Sequence, residues 1–127
     1  MNPPVFLTLA EVIEIHKNQI GLYGGSHGVR DLGLLQSAVA QPEAAFSGAW
    51  LHEDIYLMAA AYAFHIASNH SFIDGNKRVA LAASLVFLEL NRVEIKDPKQ
   101  KLLTAMLDIA TGKLDKEGFA KVLRSLA

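Results

Sequence analysis

The chain has 127 residues, of which 51% are hydrophobic and 20% are charged, a balance typical of a folded globular protein that excludes a mainly disordered one. Twelve basic and thirteen acidic residues give a formal net charge of −1, so the chain has no overall attraction for nucleic acid or an anionic membrane. No cysteine is present, which excludes disulfides and a thiolate mechanism, and the length predicts one domain over residues 1–127.

The first two predicted helices lie on either side of a glycine-rich loop. Thr8 and Glu11 form a capping-box pattern, and apolar residues at helical spacing then predict a helix from Leu9 to about Leu22. The stretch YGG ends this helix. The loop GGSHGVRD then leads to Asp31, which suits the cap of a short helix that Pro42 closes.

The middle of the sequence predicts an exposed segment followed by two buried helices. Residues Ala44 to Leu51, AAFSGAWL, have no helical period and predict a loop or short hairpin. Glu53 to Asn69 and Asn76 to Leu90 are helical and apolar nearly all round, so we expect them to form the centre of the domain.

No apolar run predicts a membrane span. The longest, Ile55 to Phe64 and Val79 to Leu88, are shorter than the roughly 20 residues that cross a bilayer. The N-terminus also lacks the basic segment of a secretory signal. We therefore expect a cytoplasmic protein with neither a membrane partner nor direct nucleic-acid binding.

The C-terminal part predicts two more helices. Val93 and Ile95 suggest a brief extended piece, Asp97 with Pro98 starts a helix that Gly112 ends, and Asp115 caps a last amphipathic helix. The sequence thus predicts an all-α fold of about six helices.

The stretch HSFIDGNKR, His70 to Arg78, joins the two central helices. Asp74 with Gly75 is a turn signal, and Asn76 suits the N-cap position, so the backbone donors of the next turn would point out of the helix end. Lys77 and Arg78 lie in a first turn, where the helix dipole disfavours cations. A bound phosphate removes this conflict, and the stretch therefore predicts an anion site.

The same stretch carries groups suited to acid–base and metal chemistry. His70 has a reference pKa of about 6.5, which suits a general base near neutral pH. Asp74 offers the oxygen ligands that Mg²⁺ prefers beside phosphates, and Phe72 would anchor the loop in the core. In the structural alternative, these groups satisfy backbone donors and Asp74 pairs with Lys77 or Arg78 at the surface. The combination within nine residues favours the functional interpretation.

Other polar residues predict less. His52, His65 and His70 could be imagined as a metal centre, but the sequence has no HExxH motif, and we expect His65 to be a core histidine. Arg30 and Asp31 predict a loop ion pair, with Asp31 as a helix cap. The sequence pattern supplies no group of residues with which His16 would form a site.

HSFIDGNKR resembles the active-site motif of the Fic/Doc superfamily, HxFx(D/E)GNxR, at six positions: His70, Phe72, Asp74, Gly75, Asn76 and Arg78. The order of the flanking elements is also similar over nearly the whole chain. Fic enzymes that transfer a nucleotidyl group usually have HxFxxGNGRxxR, whereas this chain has Lys77 in place of the second glycine and Leu81 in place of the distal arginine. Both departures indicate the death-on-curing (Doc) branch, the toxins of toxin–antitoxin pairs.

The resemblance implies a protein kinase reaction. ATP would bind with its γ-phosphate at the helix start, and His70 would take the proton of a protein hydroxyl while that phosphoryl group is transferred. Asp74 would hold Mg²⁺ or help to orient His70. The phosphates and their developing charge would be bound by the residues that follow: Gly75, Asn76, Lys77 and Arg78.

The resemblance also implies partners. They are a threonine of elongation factor Tu as target, with translation arrest as the outcome, and a small antitoxin whose C-terminal segment folds on the toxin. The segment Ala44 to Leu51 would be the flap that docks the target chain. Three alternatives stay open: nucleotidyl transfer of the Fic type, a catalytically silent binding module, and a metal-dependent phosphohydrolase.

Overall fold

The computed structural model describes residues 3–127, and its regular structure is almost entirely helical. The six helices are α1 (Leu9–Tyr23), α2 (Leu32–Ala40), α3 (Ile55–Asn69), α4 (Asn76–Leu90), α5 (Lys101–Ala110) and α6 (Lys116–Leu126). A 3₁₀ turn, Gln41–Glu43, follows α2, and strands β1 (Ala45–Phe46) and β2 (Ala49–Trp50) pair antiparallel. The predicted all-α fold is confirmed. None of the helices in the described part of the chain is both long and apolar enough to cross a membrane.

Helices α3 and α4 form the centre of the fold, as their apolar surfaces predict. Every residue from Met58 to Ala63 is buried, and α3 packs most extensively on α4 and next on α6. Small alanine side chains on both helices, among them Ala59, Ala63 and Ala83, are fully buried and allow close packing. Helix α1 packs on α4 and α2 packs on α3. The link between the two central helices is thereby held on a rigid support.

The predicted caps of the first two helices are confirmed. The Thr8 hydroxyl accepts a hydrogen bond from the Glu11 N–H, and the Glu11 carboxylate accepts one from the Thr8 N–H, which completes the capping box. Gly24, with φ 84°, ends α1 one residue later than predicted. The Asp31 carboxylate caps α2 by accepting a hydrogen bond from Leu34 N at 3.0 Å.

Two predicted helix starts are corrected by the structure. Helix α3 begins at Ile55 with Asp54 as its cap, because the Asp54 carboxylate accepts the Leu57 N–H. Helix α5 begins at Lys101 and not beside Asp97, whose carboxylate caps it across an intervening turn. Val93 and Ile95, where the sequence suggests an extended piece, lie in the irregular link between α4 and α5.

The segment Ala44 to Leu51 contains the predicted short hairpin. Ser47 and Gly48 both have positive φ, at 51° and 79°, which is the backbone of a tight two-residue hairpin turn. Trp50 contacts Phe6 edge to face, with ring centroids 5.2 Å apart. Phe46, in contrast, is 80% exposed, so the hairpin presents an apolar side chain to solvent.

Candidate functional site

The link between α3 and α4, residues 70–75, is a tight turn that we call the motif turn. His70 ends α3 in the left-handed region, with φ 49° and ψ 47°. Phe72 is 1% exposed, which confirms its predicted role as an anchor. The ring of His16, on α1, stacks on Phe72 with centroids 3.9 Å apart and planes 6° from parallel. The turn is therefore packed from below by α1, while His70 is exposed.

The glycine-rich loop, residues 24–31, binds the motif turn along its backbone. Ser71 O accepts hydrogen bonds from the N–H groups of Arg30 and Asp31, at 2.7 and 3.0 Å, and Gly28 O accepts one from the Ile73 N–H. The Arg30 guanidinium donates to the carbonyl oxygen of His70 from Nε, at 2.9 Å, and from Nη2. The expected ion pair between Arg30 and Asp31 is not among the contacts of residues 3–127, so this prediction was wrong.

Asp74 is an exposed carboxylate held by two main-chain donors. Its Oδ2 accepts from Ser26 N at 3.1 Å and its Oδ1 from Gly75 N at 2.8 Å. These two hydrogen bonds lower the pKa of Asp74, and the positive charge of Arg78 lowers it further, so the group is ionised at neutral pH. The surface ion pair with Lys77 or Arg78 is not formed among residues 3–127.

An ionised carboxylate with unused lone pairs can serve as a ligand of a divalent cation that also binds phosphate oxygens. Two of the roughly four acceptor positions of such a group remain free in Asp74. No cluster of three or more His, Asp or Glu side chains that could hold a metal occurs in the described part of the chain. A single carboxylate suits Mg²⁺, which uses one or two carboxylates together with phosphate oxygens.

Helix α4 spans Asn76–Leu90 as predicted, but its N-cap is not the predicted Asn76. Gly75, in the left-handed region with φ 76°, is the N-cap, and Asn76 is the first helical residue. The Asn76 carboxamide closes the motif turn instead: its Oδ1 accepts from Phe72 N at 2.9 Å and its Nδ2 donates to Phe72 O at 3.0 Å. The first intrahelical bond runs from Val79 N to Gly75 O. The N–H groups of residues 76–78 therefore face the open helix end.

The two cations of the motif have different surroundings. Lys77 is exposed, whereas Arg78 is half-buried and its Nη1 donates to Gln19 O at 3.4 Å. A Cβ atom at Gly25 would lie 2.7 Å from Asp74 Oδ2 and 3.2 Å from Arg78 Nη2. Glycine is thus required at position 25 for the loop to approach the site. The sequence signal for this was the tandem glycine of YGG.

The other histidines do not form a metal centre with His70. Lys116 Nζ lies 3.1 Å from Nε2 of both His52 and His65, at the junction of α3 and α6. Burial, and after it the charge of Lys116, lowers the pKa of His65 to about 4 and also lowers the pKa of His52. His65 is half-buried at this interface, so the expectation of a core histidine is met only in part.

Comparison with known proteins agrees with the resemblance carried by HSFIDGNKR. The sequence model described as the Fic/DOC family matches residues 6–88. The chain is 36% identical over 110 residues to the Toxin Doc of Mycolicibacterium smegmatis, covering 83% of this chain and 82% of that protein. It is 32% identical over 116 residues to the Protein kinase doc of Escherichia phage P1, covering 91% and 90% respectively. The chain therefore belongs to the Fic/DOC family.

Proposed function

We propose that this protein is a Doc-like toxin that transfers the γ-phosphoryl group of ATP to a hydroxyl of a protein target. The supporting observation is the start of α4, where the free N–H groups of residues 76–78 lie beside Arg78 and an ionised Asp74. A helix start with such donors favours phosphate. The names of the two relatives support both parts of the proposal, since one is called a toxin and the other a protein kinase.

His70 is the proposed general base. It is exposed at the mouth of the motif turn, and no hydrogen bond occupies its imidazole among residues 3–127, so a target hydroxyl has free access to it. Asp74 forms its hydrogen bonds with Ser26 and Gly75 and none with His70, which favours Mg²⁺ binding over orientation of His70 as its role. Bound Mg²⁺ would neutralise charge on the phosphates.

The remaining motif residues would act on the phosphates. Lys77 and Arg78 would stabilise the charge that develops during transfer, as fixed cations do in phosphoryl transfer. Asn76 would act through its backbone N–H, because its carboxamide is bound to Phe72. Leu81 packs against the core at the place of the distal arginine of nucleotidyl-transferring relatives, so no second arginine reaches the phosphates from this position.

Two protein partners follow from the proposal. By resemblance, the target is a threonine of elongation factor Tu, docked in extended form on the exposed hairpin of β1 and β2. The toxin relatives imply a cognate antitoxin, whose C-terminal segment would fold on this protein and neutralise it.

Transfer of label from ATP tests the reaction. The purified protein is incubated with elongation factor Tu and ATP labelled at either the α- or the γ-phosphate. We expect label on the target from the γ position only. Label from the α position would show nucleotidyl transfer and contradict the kinase proposal. No transfer from either position, together with normal growth when the protein is expressed without an antitoxin, would indicate a silent binding module.

A further inference from the structure

His16 is buried beneath the motif turn although it lies 58 residues from Asp74 in the sequence. Its side chain is 2% exposed, and its Nε2 lies 2.8 Å from the carbonyl oxygen of Asp74. A carbonyl oxygen can only accept, so Nε2 carries the proton and donates it. The stacked ring of Phe72 holds the imidazole in the plane from which this bond is made.

This bond fixes the peptide group between Asp74 and Gly75. In a trans peptide the C=O and the N–H point in opposite directions, and no cis peptide occurs in the described part of the chain. With the carbonyl of Asp74 directed inward to His16, the Gly75 N–H is directed outward, where Asp74 Oδ1 accepts it at 2.8 Å. The other oxygen of that carboxylate accepts the Ser26 N–H.

The orientation of this peptide also decides how α4 begins. Gly75 is the N-cap of α4, and its carbonyl accepts the first helical bond from Val79. A Cβ atom on Gly75 would lie 3.1 Å from Cδ1 of Ile20 and 3.7 Å from Nε2 of His16, so α1 packs closely against the cap. Rotation of the peptide would move both the Asp74 carboxylate and the donors at the helix end.

We propose that His16 is a positioning residue of the site. Its Nε2–H holds the peptide between Asp74 and Gly75 so that the carboxylate of Asp74 and the free N–H groups of α4 face the same bound phosphates and Mg²⁺. The catalytic consequence of this role depends on the proposed function, but the structural role can be measured without it.

Two substitutions separate the hydrogen bond from the packing of the ring. His16→Phe keeps an aromatic ring against Phe72 and removes the donor, whereas His16→Gln removes the ring and keeps an N–H donor at similar reach. We expect His16→Phe to lower kcat by about 10-fold to 100-fold, the scale on which a misplacement of about 1 Å acts. It should also raise the Mg²⁺ concentration needed for half-maximal activity by about threefold or more, because Asp74 is displaced. His16→Gln should keep kcat within about threefold of the original.

Val12→Ala is the matched control for lost stability. Val12 is fully buried one turn earlier on α1, and its aliphatic side chain cannot form a hydrogen bond with the motif turn. It should lower the melting temperature without changing the Mg²⁺ requirement. Equal losses of kcat in His16→Phe and His16→Gln, in proportion to lost stability and with an unchanged Mg²⁺ requirement, would show that His16 only fills the core.

A readout independent of activity comes from the amide proton shifts of Ser26 and Gly75, both of which donate to the Asp74 carboxylate. Both shifts should change in His16→Phe, stay near the original values in His16→Gln, and be unaffected in Val12→Ala. Unchanged shifts in His16→Phe would overturn the inference. If the original protein transfers no label but these shifts behave as expected, the proposed function fails while the positioning role of His16 stands.

Discussion

Two regions of the protein place histidine side chains in contrasting surroundings. At the motif turn, His70 is exposed on a backbone that is bound by Arg30 and by the glycine-rich loop, and its imidazole forms no hydrogen bond with residues 3–127. At the junction of α3 and α6, His52 and His65 are directed at Lys116. The lysine ammonium can only donate, so Nε2 of each imidazole accepts a hydrogen bond from Lys116 and both imidazoles are neutral. Nε2 of His52 and of His65 is therefore engaged in a structural contact with Lys116.

The contrast separates the proposed reactive histidine from the structural histidines by what each imidazole contacts. In the motif turn, the glycine-rich loop and the side chains of His16, Arg30 and Asn76 bind the backbone. The His70 side chain and the N–H groups at the start of α4 are left for a ligand. At the α3–α6 junction, Nε2 of both His52 and His65 is bound to Lys116, and burial opposes protonation of the two imidazoles. The lowered pKa values of His52 and His65 therefore mark a structural region of this protein.

The largest expected effect comes from removing His70, the proposed general base. His70→Ala should lower phosphoryl transfer by about 100-fold to 10,000-fold, the contribution typical of general acid–base catalysis. Its melting temperature should stay close to the original, because the His70 side chain is exposed. The measurement is label transfer from the γ-phosphate, with thermal unfolding in parallel.

His65→Ala is the matched control for this substitution. It removes a histidine of the structural region and one acceptor of Lys116, so it should lower stability by about 1 kcal/mol and leave transfer intact. If His70→Ala retained full transfer, or if His65→Ala abolished transfer while folded, the contrast between the two regions would be broken.

A smaller effect is expected from Arg30, which supports His70 only through its backbone. Arg30→Ala removes two donors from the carbonyl oxygen of His70, but the Arg30 N–H still donates to Ser71. We expect a loss of about 1 kcal/mol in stability and about a tenfold fall in kcat, since His70 is less well placed. Arg124→Ala is the control, because it breaks the exposed ion pair with Asp54 and should leave kcat unchanged. Equal kcat in both variants would show that Arg30 has no role in placing His70.

Local sequence signals predicted the helices and the motif, but not the residues that hold the motif turn. Capping residues and apolar periodicity act within a few positions, so the bounds of α4 could be predicted. His16, Ser26 and Arg30 reach the turn from 58, 48 and 40 residues away. Ser26 acts through its backbone N–H, which any residue other than proline supplies, so its identity gives no signal. Asn76 suited a cap by residue type, but the left-handed backbone at the helix start favoured Gly75.

The pH dependence of stability should report the structural region. Burial and Lys116 lower the pKa of His65 to about 4, below its ordinary value of 6.5, so the unfolded chain binds more protons between these two pH values. The contribution of His65 to the free energy of unfolding should therefore have its full value above about pH 6.5. It should fall as the pH drops toward 4, by about 1–2 kcal/mol after solvent screening. His52 acts in the same direction, with Glu117 opposing it.

Lys116→Met tests whether the loss of stability at acid pH comes from His52 and His65. The substitution removes the cation that disfavours protonation of both imidazoles, while their burial remains. The free energy of unfolding, measured by urea titration at several pH values, should then fall less steeply between pH 6.5 and 4 than in the original protein. An unchanged slope would assign the acid sensitivity to groups elsewhere in the chain.

The smallest expected effect concerns the hairpin and the docking of the protein target. Phe46 is 80% exposed, so Phe46→Ala should change stability by less than about 0.5 kcal/mol. If the hairpin docks the target, losing this apolar contact should raise the KM for elongation factor Tu by about threefold to tenfold and leave the KM for ATP unchanged. Leu103→Ala, at a 57% exposed position on α5, is the control and should change neither constant. An unchanged KM for the target in Phe46→Ala would place the docking surface elsewhere, because the 80% exposed ring of Phe46 is the apolar side chain that the hairpin offers to a partner.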